Sequence, residues 1–289
     1  MVQINTFGVI GGDKRQIAMA ESIAEDGYTV FAAGMEQAQF LHGIQKATLE
    51  ETIENSEAII LPLPATVDKK TLNAPFSAAR IVLDEEFAKM LMKKKVFCGM
   101  ASQLAKTCDV WKQIHVSDYF DREEFTVKNA VPTSEGAIEI AMREYPGTIN
   151  GSKCLVAGFG RIGKVLSRML SGLGANVTVS ARKPQDLAWI ELDGYRPVPT
   201  AKLCDTKGYD IIFNTVPAMV FDAHTLARTA GDALVIDLAS APGGVDFEAA
   251  KRLGIQAIQA LSLPGKVAPK AAGEIIKTTI YNMIEEGVQ

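Results

Sequence analysis

The sequence is poor in the side chains that most often announce a metal centre or a disulfide framework: among 289 residues there are four cysteines and three histidines. Cys98, Cys108, Cys154 and Cys204 form no CxxC pair and have no companion histidine at zinc-ligand spacing, so reduced, mostly buried thiols are expected. His42, His115 and His224 are isolated, with no HExxH arrangement, and no metal is expected. No apolar run approaches the roughly 18 residues needed to cross a bilayer. Neither sign of charge dominates: 30 Lys plus Arg against 34 Asp plus Glu leave a formal net charge of -4, which offers no basic footprint for nucleic acid. The cluster Lys14-Arg15 follows the first apolar stretch, whereas a secretory signal places its positive charge before one; a cytoplasmic protein is expected.

What remains is an ordinary globular composition, 47% hydrophobic and 22% charged, on a chain long enough for two domains. In the first half, Phe7 to Ile10, Thr29 to Ala32 and Ala58 to Leu61 read as strands, with a helix near Gln16 to Asp26 and a helix-like patch at Glu36 to Gln45. Further strands are expected at Lys95 to Cys98 and around Ile114 to Val116. Pro62-Leu63-Pro64-Ala65-Thr66 forces a loop after the third strand, because proline lacks the ladder donor and restricts its predecessor. Ligands of open parallel sheets sit beyond the carboxyl ends of the strands, which makes Gly11 to Arg15 and Pro62 to Thr66 a candidate binding edge.

Pro132-Thr133-Ser134-Glu135 reads as a loop entering a connecting helix that ends near Tyr145, with Thr133 or Ser134 as cap. Turn signals at Pro146-Gly147 and Asn150-Gly151 place a boundary near residue 150. A second series of strands follows at Lys153 to Ala157, Asn176 to Ser180, Tyr209 to Asn214, Ala233 to Asp237 and Gln256 to Ala260. Pro269 to Glu286 has helical spacing. The expected organisation is therefore a first α/β substrate domain (1–130), a connecting helix and linker (131–150), a dinucleotide-binding domain (151–265) and a C-terminal helix (266–289) packing back on the first. The fold class is α/β: two doubly wound, Rossmann-like domains with open parallel sheets and an interdomain cleft.

The pattern Gly158-Phe159-Gly160-Arg161-Ile162-Gly163 is common in isolation, but here it joins an apolar strand to a helix with Val165, Leu166, Met169 and Leu170 on one face. Gly158 permits the tight turn, Gly160 lets the backbone approach a pyrophosphate, Gly163 allows close packing, and the helix N-terminus faces the anion. The end of the next strand reads Ser180-Ala181-Arg182-Lys183, where an NAD enzyme usually carries an acid for the ribose hydroxyl. A hydroxyl and two cations suit a 2′-phosphate, so NADP(H) is the expected cofactor, against the alternative of a solvated basic turn that tolerates either cofactor. Two later strand ends, Thr215-Val216-Pro217 and Leu238-Ala239, offer small residues and a proline as a wall for the nicotinamide and its ribose. Lys266, in the final loop, is a cation able to meet a substrate carboxylate.

Taken together, these stretches resemble the dipicolinate synthase A-subunit family of spore-forming bacteria over essentially the whole length. The segments that carry the resemblance are Gly11-Gly12-Asp13-Lys14-Arg15-Gln16, Leu61-Pro62-Leu63-Pro64 with Asn73-Ala74-Pro75-Phe76-Ser77, Pro132 to Ile138, the Gly158 turn, and Leu263 to Pro269. The resemblance implies oxidation of dihydrodipicolinate, a cyclic dicarboxylate of the lysine pathway, to aromatic dipicolinate with NADP as hydride acceptor. It also implies a partner, a flavoprotein-like B chain, together with a place in the mother cell during sporulation. A substrate with two carboxylates needs cations and donors, for which Arg15, Thr133, Ser134 and Lys266 are the candidates. No residue declares itself as the proton acceptor; Asp13, Glu135 and Lys266 are the candidates. A homo-oligomer is expected. Two other readings stand beside this one: a shikimate- or amino-acid-dehydrogenase-like oxidoreductase, and a non-catalytic module that senses NADP.

Overall fold

The structure is a computed structural model that describes residues 4–39 and 43–287; His42 lies outside the described residues. The chain divides into two compact units, one formed by Met1–Asn129 with Ala268–Gln289 and the other by Ala130–Val267. Residues 131–150, expected to be a connecting segment, thus cluster with the second unit.

In the first unit, β1 (Thr6–Ile10), α1 (Lys14–Glu25), β2 (Thr29–Ala33), β3 (Ile44–Lys46), α2 (Leu49–Asn55), β4 (Ala58–Ile60), α3 (Glu85–Met90), β5 (Lys95–Cys98), α4 (Ala101–Leu104) and β6 (Val116–Asp118) follow in order. All strand pairs are parallel, in the order β3-β2-β1-β4-β5-β6. Strands buried on both faces explain the near-continuous apolar runs of β1 and β4, whose side chains feed one core on each side of the sheet. The helix-like patch at Glu36 to Gln45 is not a helix. A turn closes at Ala38, whose N–H donates to Met35 O at 3.0 Å, and Ile44–Lys46 pair as β3 beside β2. The Glu36 carboxylate, which would have sat in that helix, instead accepts from the backbone of Gly34 and Ala78. Helix α2, not foreseen, starts at a capping box in which Thr48 and Glu51 satisfy each other's backbone N–H groups.

Helix α5 (Glu123–Glu144) leaves the first unit and enters the second. It corrects the expected loop at Pro132 to Glu135: Pro132 lies inside the helix, and the start lies nine residues earlier, at the acidic pair Glu123 and Glu124. Proline removes one helical bond, yet Ala130, Ala137, Ile138, Ile140 and Ala141 are all buried, and packing of that face outweighs the lost bond. Ser134 is no cap; its hydroxyl donates to Ala130 O at 2.8 Å within the helix.

The second unit continues with β7 (Lys153–Ala157), α6 (Arg161–Gly172), β8 (Asn176–Ala181), α7 (Pro184–Leu192), β9 (Arg196–Pro199), β10 (Ile211–Asn214), α8 (Ala223–Thr229), β11 (Leu234–Asp237), α9 (Phe247–Leu253), β12 (Ala257–Gln259) and α10 (Leu263–Val267). Its parallel sheet has the order β12-β11-β10-β7-β8-β9, the same doubly wound plan as the first. Strand β9 escaped the sequence reading because Pro197 and Pro199 occupy it; as an edge strand it has no second neighbour to bond. The segment carrying Lys266 is the short helix α10 and not a loop. The chain closes with α11 (Pro269–Glu285), which lies against α1 in the first unit. There Lys277 meets Asp26 at 2.9 Å and the Ser22 hydroxyl at 2.6 Å, and Gly273 permits contact with the backbone of Arg15 and Met19.

Candidate cofactor-binding site

The turn between β7 and α6 is closed too tightly for any residue but glycine at two of its positions. Gly158 has φ +100°, its N–H donates to Ser180 O at 3.0 Å, and a Cβ there would collide with the Thr215 hydroxyl and meet Val216 at 3.0 Å. At Gly163 a Cβ would run into the carbonyl of Gly158. Gly160 differs: a Cβ on it would meet nothing within 4 Å, so the space before it is free for a ligand. Gly160 is also the N-cap of α6 and supplies no side-chain cap, which leaves the first-turn backbone of Arg161, Ile162 and Gly163 without a protein side chain at the N-cap. Phe159 is buried in the core of the unit, with the Lys164 ammonium 5.3 Å from its ring centre.

Beside this turn lies a cavity of about 320 Å³. Gly158, Phe159 and Gly160 form one side of it. Ala181 at the end of β8, with Arg182 and Lys183 just beyond it, forms another, and Thr215, Val216 and Pro217, beyond β10, a third. The residues present therefore fit a dinucleotide: an open helix N-terminus for a pyrophosphate, and cations at the ribose end. Two lining residues were missed from the sequence, Asp186 in the first turn of α7 and Thr200 just after β9. Both come from elements whose position depends on how the chain packs, and only the strand-end residues are found by counting from the glycines.

Three residues expected at the cofactor do not line this cavity. Ser180 is fully buried and does not line the cavity; its role is to hold Gly158 through its backbone carbonyl, while its hydroxyl has no partner. The alternation of β8 turns Ser180 into the interior and Ala181 toward the ligand side. Leu238 and Ala239 are likewise buried, at 6% and 3% exposure, and support the strand ends from below. What shapes that edge is a pair not singled out from the sequence. Asn214 and Asp237, at the ends of β10 and β11, are both fully buried, and Asn214 Nδ2 donates to Asp237 Oδ1 at 2.7 Å. Asn214 also bonds Val216 through its backbone N–H and carbonyl, while Asp237 accepts from the backbone of Ala239 and Gly244.

The first unit has the same strand order but its equivalent seat is filled by its own chain. Gly12 N–H donates to Asn73 O at 2.8 Å, Leu72 and Ala74 pack on Gly11, and the N-terminus of α1 is capped by Asp13 with Gln16 in a capping box. Arg15 is 8% exposed. Its guanidinium grips Asp13 through Nε and Nη2 and donates to Leu63 O, so it is neither a surface arginine nor wholly free for a ligand; among the described residues Nη1 has no hydrogen bond. On the same edge, the Asp118 carboxylate receives the N–H groups of Met100, Ala101 and Phe120. Burial nevertheless raises its pKa above the usual aspartate value, helped by Asp121. A carboxyl so perturbed at a strand end is a further candidate proton acceptor, and no sequence pattern marks it.

Thr133 and Ser134 are buried on α5, and Glu135 is exposed on the same helix. Lys266 is exposed on α10, which packs on α5 where Gly136 meets Leu263 and Val267. Two of the cysteines are poor nucleophiles: burial pushes the Cys98 thiol well up and the Cys154 thiol up to about 11. Among the described residues no cluster could hold a metal ion, and no helix is long and apolar enough to cross a membrane.

An open glycine turn with a strand-end cavity defines the second unit as a nicotinamide-dinucleotide-binding, dehydrogenase-like domain. Residues 127–249 match the family model described as D-isomer specific 2-hydroxyacid dehydrogenase, NAD binding domain. Residues 6–120 match the model for the N-terminal domain of the dipicolinate synthase A-subunit. The chain is 33% identical to the dipicolinate synthase A-subunit of Bacillus subtilis (strain 168) over 284 residues, covering 97% of this chain and 96% of that protein. It belongs to the dipicolinate synthase A-subunit family. The crystal structure of the A-subunit from Bacillus halodurans superimposes with a TM-score of 0.87 at 32% identity, covering 97% of each chain. Its Bacillus subtilis counterpart gives 0.85 at 32% identity, covering 99% of this chain and 97% of that one. A transhydrogenase from Sinorhizobium meliloti, 14% identical with a TM-score of 0.69 over 97% of this chain and 94% of its own, shares the fold alone.

Proposed function

We propose that this chain oxidises dihydrodipicolinate to dipicolinate with NADP⁺ as acceptor. The carrying observation is the ligand-ready cavity beside Gly160, basic at Arg182 and Lys183, in a chain of the dipicolinate synthase A-subunit family. Bound NADP⁺ supplies a hydride acceptor. The oxidation would take one hydride and one proton from the dihydropyridine ring, the proton passing to a base or to water, and aromatisation of the ring would drive it. The chain's own residues divide the remaining work. The α6 N-terminus and Gly158–Gly160 seat the pyrophosphate, Arg182 and Lys183 take the 2′-phosphate, and Thr215 to Pro217 back the nicotinamide half. The Nη1 of Arg15 and the Lys266 ammonium are the cations assigned to the two substrate carboxylates, with Thr133 as the supporting donor; Ser134, expected beside it, spends its buried hydroxyl on Ala130 O. Asp13, Glu135 and Asp118 are the candidate proton acceptors, with Lys266 a candidate only in its neutral form, in place of its carboxylate contact.

The Bacillus subtilis relative is by name one component of a synthase with lettered components, which supports a B chain as partner; that the B chain is flavoprotein-like is part of the proposal. The family supports a cytoplasmic role in the mother cell of a sporulating bacterium. A homo-oligomer completes the reading. The test is formation of dipicolinate, read by its ultraviolet absorbance, from freshly generated precursor and NADP⁺, with and without the B chain. No dipicolinate under either condition, with NADP⁺ bound, would leave a cofactor-sensing module. Replacing the true proton acceptor among Asp13→Asn, Asp118→Asn, Glu135→Gln and Lys266→Met should lower kcat by about 100-fold or more while cofactor affinity is unchanged.

A further inference from the structure

The cavity beside the glycine turn holds an acid that opposes its two cations. Asp186 stands in the first turn of α7, past Pro184 and Gln185, and lines the same space as Arg182, Lys183 and Thr200. Among the described residues, no hydrogen bond or ion pair engages the side chains of Arg182, Lys183 or Asp186; the three charges face the cavity without neutralising one another. In the first unit, by contrast, Arg15 is paired with Asp13 at 2.8 Å. Charges left uncommitted around a cavity are available to a ligand.

We infer that Asp186 is a second determinant of cofactor choice, set against Arg182 and Lys183, and that this pocket accepts NAD(H) as well as NADP(H). The inference rests on reading the cavity as the seat of the adenosine ribose. A 2′-phosphate is doubly charged near neutral pH; the basic pair attracts it and the Asp186 carboxylate repels it. A 2′-hydroxyl is a donor, which Asp186 can accept in the manner of the strand-end acid of NAD enzymes, while the basic pair gains nothing from it. The same carboxylate therefore subtracts from one cofactor and adds to the other. A purely structural role is the competing account, since an acid in the first turn of a helix meets its positive end, and Lys183 gives α7 no side-chain cap. That role would move both affinities together.

The experiment is a calorimetric titration of the purified apo chain with NADP⁺ and, separately, NAD⁺, for the wild type, Asp186→Asn and Asp186→Ala. The wild type should bind both. Asp186→Asn should bind NADP⁺ about fivefold more tightly and NAD⁺ about fivefold more weakly, a shift of about 25-fold in their ratio. Asp186→Ala should move the ratio the same way. Affinities that move together, or do not move, in a variant that melts like the wild type overturn the role of Asp186. A wild type with no measurable NAD⁺ binding overturns dual acceptance. If the wild type prefers NAD⁺ and Arg182→Ala changes neither affinity, it is the NADP⁺ reading that fails, and the Asp186 ratio still decides the inference.

Discussion

Asn214 and Asp237 bind each other side chain to side chain at 2.7 Å, at adjacent strand ends and with neither residue exposed. A buried carboxylate is tolerated only when donors surround it, and here Asn214, Ala239 and Gly244 are the donors. Asn214→Ala should cost about 2–4 kcal/mol in urea denaturation, because it strands a buried charge. Asn214→Asp should be worse, placing a second carboxylate where the donor stood. Both variants should weaken cofactor binding as well, since Asn214 holds Val216, which packs on Gly158. Cofactor affinity unchanged in a destabilised Asn214→Ala would separate the pair from the site.

Ser180 and Arg182 are two residues apart and should behave in opposite ways. The Ser180 hydroxyl is buried without a partner, so Ser180→Ala removes a desolvated group at the cost of a small void, and the two effects of about 1 kcal/mol each should nearly cancel. NADP⁺ affinity should not change. Arg182→Ala should leave the melting temperature in place and weaken NADP⁺ by about tenfold, the loss of one charge-assisted contact. A weakened Ser180→Ala would restore that hydroxyl to the cofactor site.

The reach of the sequence followed the physics of each element. Strands β1 and β7 were legible because central parallel strands need unbroken apolar runs, and the Gly158 turn because close approach admits no side chain. Strand β9 was hidden by two prolines that only an edge tolerates. Helix α5 was cut short because local propensity at Pro132 was given more weight than a buried face extending on both sides of it. Ser180 was misplaced since motif counting locates a residue along a strand but not the face on which it sits. Asp186, Thr200, Asn214 and Asp237 reach the site from separate elements, and a linear pattern does not report proximity between elements. The closed seat of the first unit was invisible for the same reason: Asn73 meets Gly12 only after the chain has crossed β4.

The contact between α11 and α1 makes stability pH-dependent. The hydrogen bond from Lys277 lowers the Asp26 pKa, burial opposes this, and the Tyr281 hydroxyl adds a second donor. A carboxyl depressed on folding contributes stability that is fully present above its unfolded value of about 3.9 and is lost as pH falls through the lower folded value. Asp26 is part exposed, so the contribution is modest. Asp26→Asn should therefore lower the melting temperature at pH 7 and show a smaller further loss than the wild type between about pH 4 and pH 2. Parallel melting curves across that range would refute the coupling. Lys277→Met should reproduce the flattening.

Gly160 and Gly163 separate binding from folding within one turn of helix. Both are one methyl from alanine, but their surroundings differ: Gly163 faces the Gly158 carbonyl, and Gly160 faces open space. Gly163→Ala must push α6 away from β7 or distort the turn, and should destabilise the second unit by about 2 kcal/mol or more as an overpacked site. Its cofactor affinity should fall in consequence. Gly160→Ala should melt like the wild type, because the added methyl touches no protein atom within 4 Å. Yet it occupies the approach to the α6 N-terminus, where the pyrophosphate must come close to the backbone, and should weaken both NADP⁺ and NAD⁺ by about tenfold or more. Thermal melting and calorimetric titration of the two variants side by side check the assignment. Full cofactor affinity in Gly160→Ala would mean that the anion sits elsewhere than at this helix start.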